Sequence, residues 1–175
     1  MTPGIPSAPV PLNPDHVLDG FNCGTPALND WLIRQALRNE ANGASRAYVV
    51  CQGQTVVGYY CLSTGAIMRA ASPKPMQRNM PDPIPVIVLG RLAVDTNYGN
   101  QGIGSGLLRD AVLRVLQVAE SIGIKALLVH AISPEAKQFY RSRGFLESPI
   151  EPMTLCLMLA TARQTISGQG TTPHE

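Results

Sequence analysis

This sequence predicts a mixed α/β fold, a central sheet with an antiparallel N-terminal half and a parallel strand pair joined by a β-α-β crossover. Three observations carry that reading. RAYVVC (46–51) and TVVGYYCLS (55–63) are β-branched and aromatic runs separated by a short turn around Gly53, the pattern of an antiparallel hairpin. VIVLGRLAV (86–94) and ALLVHA (126–131) are near-continuous apolar runs flanking an amphipathic stretch that opens with glycines, as in a β-α-β unit with buried parallel strands. The remaining segments add a helix before the hairpin, and a helix and a strand after the crossover.

The elements follow in order. Residues 1–14 (MTPGIPSAPVPLNP) are rich in proline and small residues and read as a flexible lead-in, with a single folded domain expected over 15–162 and a flexible polar tail over 163–175. Thr25-Pro26 reads as a helix cap and first turn, with Leu28, Trp31, Leu32, Gln35 and Ala36 at helical spacing and Gly43 as the stop. After the hairpin, the five prolines of SPKPMQRNMPDPIP (72–85) forbid a long helix, so this stretch reads as a surface loop. Leu108, Ala111, Val112, Val115, Ala119 and Ile122 recur at helical spacing and form the buried stripe of a helix closed by Gly123. Ser133-Pro134-Glu135 caps a short helix through Arg143 that Gly144 ends, and MTLCLML (153–159) supplies a last strand.

Composition narrows the partners. At 175 residues the chain is long enough to bury a core without staples, and 45% hydrophobic content with a formal charge of +2 indicates neither disorder nor a strongly basic coat. Among 14 basic residues only Lys74, Lys125 and Lys137 are lysine, a bias toward planar, bidentate contacts with phosphate or carboxylate. Cys23, Cys51, Cys61 and Cys156 lack metal-ligand spacing, so no metal is expected and buried free thiols in a reducing cytoplasm are. No signal peptide and no apolar run of membrane-spanning length is recognisable, so a cytoplasmic protein with no membrane partner is expected.

The stretch YGNQGIGSGLL (98–108) holds four glycines between an apolar strand and an amphipathic helix. Amides at a helix start have no intrahelical partner and face the positive end of the dipole, so this is an anion site, most often for phosphate. A P-loop is excluded because Gly99-x-x-x-x-Gly104 is followed by Ser105, not lysine. A dinucleotide fingerprint is excluded because Gly102-x-Gly104 leads to Leu107 where a third glycine belongs.

Gln101-x-x-Gly104-x-Gly106 instead resembles the pyrophosphate loop of the GNAT acetyltransferase superfamily. The likeness is strengthened by the strand before it, the helix it opens, the strand after, and Phe139-Tyr140-x-x-x-Gly144-Phe145. FNCG (21–24), LNDWL (28–32), SRAYVV (45–50), GYYCLSTG (58–65), RNMPDPIPVIVLGRLAVD (78–95), LLVHA (127–131) and AKQFYRSRGF (136–145) are similar, more narrowly, to the GNAT toxins of bacterial toxin–antitoxin pairs. The resemblance implies a GNAT fold and acetyl-CoA as acetyl donor. It places the pyrophosphate on Gln101, Gly102, Ile103, Gly104, Ser105 and Gly106, the pantetheine and acetyl carbonyl along Leu92, Ala93 and Val94, and adds Ser133 to the cofactor contacts. It further implies aminoacyl-tRNA as acceptor, inhibition of translation, a homodimer, and a ribbon-helix-helix antitoxin through whose complex operator DNA is reached. A GNAT enzyme for a protein N-terminus or small amine, or a non-catalytic acyl-CoA-binding module, are the alternatives.

The chemistry assigns roles to residues. Transfer from a thioester to an amine needs a deprotonated amine, donors for the developing oxyanion and help for the departing thiolate. The resemblance implies oxyanion donors at the Leu92–Val94 amides, freed by a bulge, and Tyr140 as the group facing the sulfur. A phenol of pKa ~10 cannot fully protonate a thiolate of ~8.5 without a loss of about 2 kcal/mol, so Tyr140 is expected to act by hydrogen bonding. Glu40, Glu120 and Glu135 fit exposed helix faces, and a strand histidine such as His130 is more often structural, so no general base stands out. That favours an α-amine, which at neutral pH costs ~3.5 kcal/mol less to deprotonate than lysine. For tRNA phosphates the candidates are Arg69, Lys74 and Arg78 in or beside the proline loop, Arg78 first because it leads into the catalytic strand, with Arg38, Arg46, Arg141 and Arg143 elsewhere.

Overall fold

The computed structural model describes residues 6–169. Its strands are β1 (Val10–Pro11), β2 (Arg46–Gln52), β3 (Thr55–Ile67), β4 (Ile84–Val94), β5 (Ala126–His130), β6 (Leu146–Glu147) and β7 (Thr154–Met158), and its helices α1 (Pro26–Arg34), α2 (Ala36–Asn42), α3 (Lys74–Gln77), α4 (Ile103–Val118), α5 (Pro134–Arg141) and α6 (Leu159–Gln169). The strand order is β1-β2-β3-β4-β5-β7-β6, with β4 and β5 parallel in an otherwise antiparallel mixed sheet. The chain divides into two compact units, one running through Ser63 and resuming over Leu89–Ala111, the other comprising Thr64–Val88 and the chain from Val112 onward.

In the first unit the hairpin forms as its β-branched and aromatic runs require, Arg46 pairing with Leu62 and Gln52 with Thr55, with a register shift between Val50 and Cys51. Gly53 supplies the positive φ of +63° at the turn. Tyr59 is fully buried in the core and stacks on Trp31 at 5.8 Å, while Phe21 meets it edge-on at 5.5 Å. The Tyr59 hydroxyl is satisfied by donating to the Leu28 carbonyl at 2.6 Å. The single helix expected over 26–42 is instead two, because Gln35, though still in the right-handed region, has its φ stretched to −116° (ψ −30°) and serves as both C-cap of α1 and N-cap of α2. Trp31, Leu32 and Ala36 are buried, whereas Gln35 is exposed and Leu28 only half-buried. Gly43 stops α2 in the left-handed conformation as expected.

The start of the chain also departs from the lead-in reading over residues 6–14. Val10 and Pro11 pair with Val49 and Tyr48, Ser7 donates its amide to the Cys51 carbonyl at 2.9 Å, and Leu12 is buried. A partner strand almost 40 positions away is invisible to local composition.

In the second unit β5 and β7 pair from Ala126↔Met158 to His130↔Thr154, and β6 pairs with β7. Ile67, Met76, Ile84, Val86, Ala126, Leu128 and Cys156 form its core. Fully buried Met76 pins α3, a short helix inside what reads from sequence as loop, and β4 begins at Ile84 rather than Val86. Helix α4 ends at Val118, so Ile122, expected on the buried stripe, is 62% exposed in the turn beyond it. Helix α5 is capped by the Ser133 hydroxyl, which accepts from the Ala136 amide at 3.0 Å. It ends at Arg141, two residues earlier than expected, with Gly144 at φ +94°. Beyond β7 the chain forms α6 through Gln169, where residues 163–169 read as tail; residues 170–175 of that expectation lie outside the described residues. Cys51, Cys61 and Cys156 are buried free thiols and Cys23 is half-buried. No described helix is long and apolar enough to cross a membrane.

Candidate active site

The glycine stretch opens α4 directly after a tight turn at the end of β4. Buried Asp95 builds that turn: its carboxylate accepts from the Asn22 amide at 3.1 Å and the Asn97 amide at 2.9 Å. Its own amide donates to the Val57 carbonyl at 2.8 Å, and that of Thr96 to the Asn22 carbonyl at 2.9 Å. The FNCG segment and the start of the glycine stretch are thereby tied to the strand end. Asn100 (φ +60°) and Gly102 (φ +77°) then turn the chain, and the Gly106 amide closes the first helical bond on the Gly102 carbonyl at 3.0 Å. In such a first turn the amides of Ile103 and Gly104 have no carbonyl inside the helix to bond.

The glycines are not there for internal packing. A Cβ at Gly102 or Gly106 would meet nothing within 4 Å, and one at Gly104 only Val94 Cγ2 at an ordinary 3.8 Å. A cavity of about 240 Å³ opens beside Gly102 and Gly106, with Pro6, Ser7, Val50 and Gln101 also in its wall. Bare backbone at a helix start, next to open space, is what a bulky anion requires.

Gly58 of β3 is the opposite case. A Cβ there would lie 3.1 Å from Ile103 Cγ2 and 3.2 Å from Leu107 Cδ1, so the first turn of α4 is seated on this bare position. We expect Gly58→Ala to lower stability by roughly 1–3 kcal/mol through overpacking and to displace the helix start. Thermal melting and acetyl-CoA titration would check this; a variant as stable as wild type with unchanged affinity would contradict it.

On β4 itself, Val94 is directed toward Gly104, while Ala93 is buried in the Trp31–Tyr59 core. Arg91, absent from the sequence-based candidates, lays its guanidinium over Trp31 at 4.4 Å. A charge inside the apolar run VIVLGRLAV was the available signal.

In the second unit Tyr140 is 8% exposed, its ring 5.2 Å from those of both Phe139 and Phe145. Burial among these rings pushes its phenol up to about 12. The Ser133 hydroxyl is engaged in the α5 cap. His130 ends β5 with Nδ1 2.9 Å from Thr154 Oγ1, which donates to Glu151 at 3.2 Å, a structural tether. Glu40, expected on an exposed face, is half-buried and engaged instead with the Ala47 amide and Arg46.

The candidate cations separate by their partners. Arg46 is ion-paired to Glu40 at 3.2 Å and donates to its carbonyl at 2.8 Å, so that charge is largely satisfied. Arg143 lies over the Phe139 ring at 3.8 Å and donates to the Phe139 carbonyl at 3.0 Å. Arg141 is exposed at the end of α5, and Arg38 is exposed on α2. Arg69, Lys74 and Arg78 are exposed around α3 and make no ion pair among the described residues. The loop carrying them is braced by the Arg69 amide, which donates to Asp82 at 3.0 Å.

Residues 43–147 match the family model described as acetyltransferase (GNAT) domain. A tRNA-acetylating toxin of Mycobacterium tuberculosis is 45% identical over 160 residues, 91% of this chain and 96% of that protein. The structure of AtaT complexed with acetyl-methionyl-tRNAfMet has a TM-score of 0.84 and 32% identity, covering 90% of this chain and 98% of that one. AtaT with a tyrosine-to-phenylalanine substitution, bound to the C-terminus of the antitoxin AtaR and to acetyl-CoA, has a TM-score of 0.79 and 31% identity, covering 91% and 97%.

Proposed function

Because the chain belongs to the GNAT acetyltransferase family, we propose a reading in which each residue of its site takes a part in one reaction. The protein is an acetyl-CoA-dependent N-acetyltransferase and the toxin of a toxin–antitoxin pair, acetylating the α-amine of aminoacyl-tRNA and so inhibiting translation. Its catalytic domain is built on residues 15–162, with β1 and α6 extending it at either end. The observation that carries the reading is the set of glycines at the start of a 16-residue helix, Gly102 and Gly106 bare toward open space and Gly104 with only Val94 in ordinary contact.

Acetyl-CoA supplies the acetyl group as a thioester. Amides of the 102–106 turn, with the Gln101 side chain, hold the diphosphate end, drawing on unpartnered N–H groups and the helix dipole, and Ser133 is assigned a further contact to the cofactor. The amides of Leu92, Ala93 and Val94 donate to the carbonyl oxygen as charge develops on it. Tyr140 donates a hydrogen bond to the departing sulfur. With the phenol near 12 and a thiol at ~8.5, outright proton transfer would be uphill by about 5 kcal/mol, so the hydrogen bond is the form its help takes. Water accepts the amine's proton, which needs no general base at a pKa of ~7.7–8.0.

Two expected results follow for pH and charge. The acceptor must be a free amine and Tyr140 must keep its proton. Initial rates should therefore rise about tenfold per pH unit below ~7.5, level off above ~8, and show no descending limb up to pH ~9.5, because the raised phenol stays protonated there. A fall in rate below pH ~9.5 would contradict Tyr140 as donor. Arg78→Glu should raise KM for aminoacyl-tRNA roughly tenfold at moderate salt and flatten its salt dependence. Arg46→Ala should change it less than about twofold, since Glu40 already occupies that charge. Equal effects at the two positions would remove Arg78 from the interface.

The partners are a ribbon-helix-helix antitoxin, operator DNA reached through the antitoxin complex, and a second copy of the chain in a homodimer, all in the cytoplasm. The test is mass spectrometry of charged tRNA after incubation with acetyl-CoA and the protein. Acetyl on the aminoacyl group is expected; labelled protein N-termini or small amines with unmodified tRNA would overturn the substrate.

A further inference from the structure

Among the described residues Arg91 is a cation without an anion. Its guanidinium lies against Trp31 at 4.4 Å on the central strand, half-buried, and makes no ion pair among the described residues. Its other neighbours, Tyr59 and Cys61, carry no compensating charge, since burial holds both the phenol and the thiol well above their ordinary values and outweighs the pull of Arg91. Stacking on an indole steadies a guanidinium but does not neutralise it, and arginines withdrawn from water are nearly always paired. Its place is particular as well. Leu92, Ala93 and Val94 follow it directly on β4; Val94 is directed toward Gly104, while Arg91 shares with Ala93 the side occupied by Trp31. Within this unit the strand thus presents the glycine turn to one side and a lone arginine to the other.

We propose that Arg91 binds a phosphodiester of the acceptor's single-stranded 3′ end, next to the aminoacylated ribose, and thereby positions the α-amine at Leu92–Val94. This rests on aminoacyl-tRNA being the acceptor. A planar guanidinium held on one face by Trp31 and hydrogen-bonded to the Cys61 sulfur has five N–H donors, so those not facing Cys61 can engage a phosphate at little further ordering cost. The aminoacyl ester carries no anion of its own, so the adjacent phosphate is the group this charge fits.

The experiment compares aminoacyl-tRNA with 2′(3′)-O-aminoacyladenosine, which has the same reacting ester and no phosphate, in wild type, Arg91→Gln and Arg91→Lys. Arg91→Gln should lower kcat/KM for aminoacyl-tRNA roughly 10- to 100-fold, the scale of one charge-assisted contact, and leave aminoacyladenosine within about twofold. Arg91→Lys should recover part of the tRNA rate as a point charge. The slope of log affinity against log salt should fall by about 0.7 in Arg91→Gln, one single-strand phosphate. Equal losses on both acceptors would overturn the proposal in favour of a purely structural role, as would an unchanged tRNA rate or salt slope. If wild type acetylates no aminoacyl-tRNA, the substrate reading fails before any variant is made, and this contact falls with it.

Discussion

Tyr140→Phe is expected to lower kcat for acetyl transfer by roughly 10²–10³-fold, the usual effect of deleting one transition-state hydrogen-bond donor. The fold should survive the change. The Tyr140 ring packs between Phe139 and Phe145, which phenylalanine reproduces, and its hydroxyl makes no hydrogen bond to any described side chain or carbonyl. Acetyl-CoA affinity should change little, because in the proposed reading the group acts on the departing sulfur rather than on the diphosphate. Stopped-time acetylation assays with thermal melting check this. Turnover within tenfold of wild type, or a collapsed melting temperature, would remove the assignment.

Gly104 separates ligand effects from folding effects with equal clarity. Its φ is not positive, and an added Cβ meets only Val94 Cγ2 at 3.8 Å, so Gly104→Ala fits the unliganded protein and should stabilise the helix by up to about 1 kcal/mol. In the proposed reading the same methyl would obstruct the approach of a diphosphate to the first-turn amides, and acetyl-CoA should bind at least tenfold more weakly, by analogy with other helix-start phosphate sites. Gly104→Glu adds like-charge repulsion and should weaken binding by ~100-fold or more. A more stable protein with poorer binding is a combination that a packing role for this glycine does not produce. Unchanged affinity in Gly104→Ala together with lost stability would restore the packing role.

The parts of the molecule legible in the sequence are those with local causes. Gly43, Gly53 and Gly144 end or turn their elements with φ values of +71°, +63° and +94°, conformations that glycine alone adopts freely. Ser133 caps α5 through the hydrogen bond that its spacing to Ala136 allows. The break at Gln35 had no such mark, since neither proline nor glycine is present and the apolar spacing runs on across it. Strand β1 has two residues, and its existence depends on Val49 and Tyr48 far along the chain. Met76 carries no helical pattern within five prolines, and only tertiary burial makes α3.

In the candidate site, the backbone geometry of the glycine turn was legible because the requirement is written directly as residue type, Gly102 taking φ +77° at the start of α4. Arg91 was overlooked because hydrophobic patterning treats one charge in an apolar run as noise. The burial cost of that charge is what makes it informative. Arg46 shows the limit from the other side: among basic residues on the sequence it is indistinguishable from Arg78, and the structure separates them through the Glu40 carboxylate 3.2 Å from Arg46.

The central claim is that main-chain amides at the start of α4 grip a diphosphate. Calorimetric titration of the wild-type protein with acetyl-CoA and with acetylpantetheine, which shares the thioester and lacks the nucleotide diphosphate, tests it most directly. Acetyl-CoA should bind at least ~100-fold more tightly, with the difference largely lost in Gly104→Glu. Equal affinity for the two compounds, or a preference for acetyl-CoA that Gly104→Glu leaves intact, would contradict it.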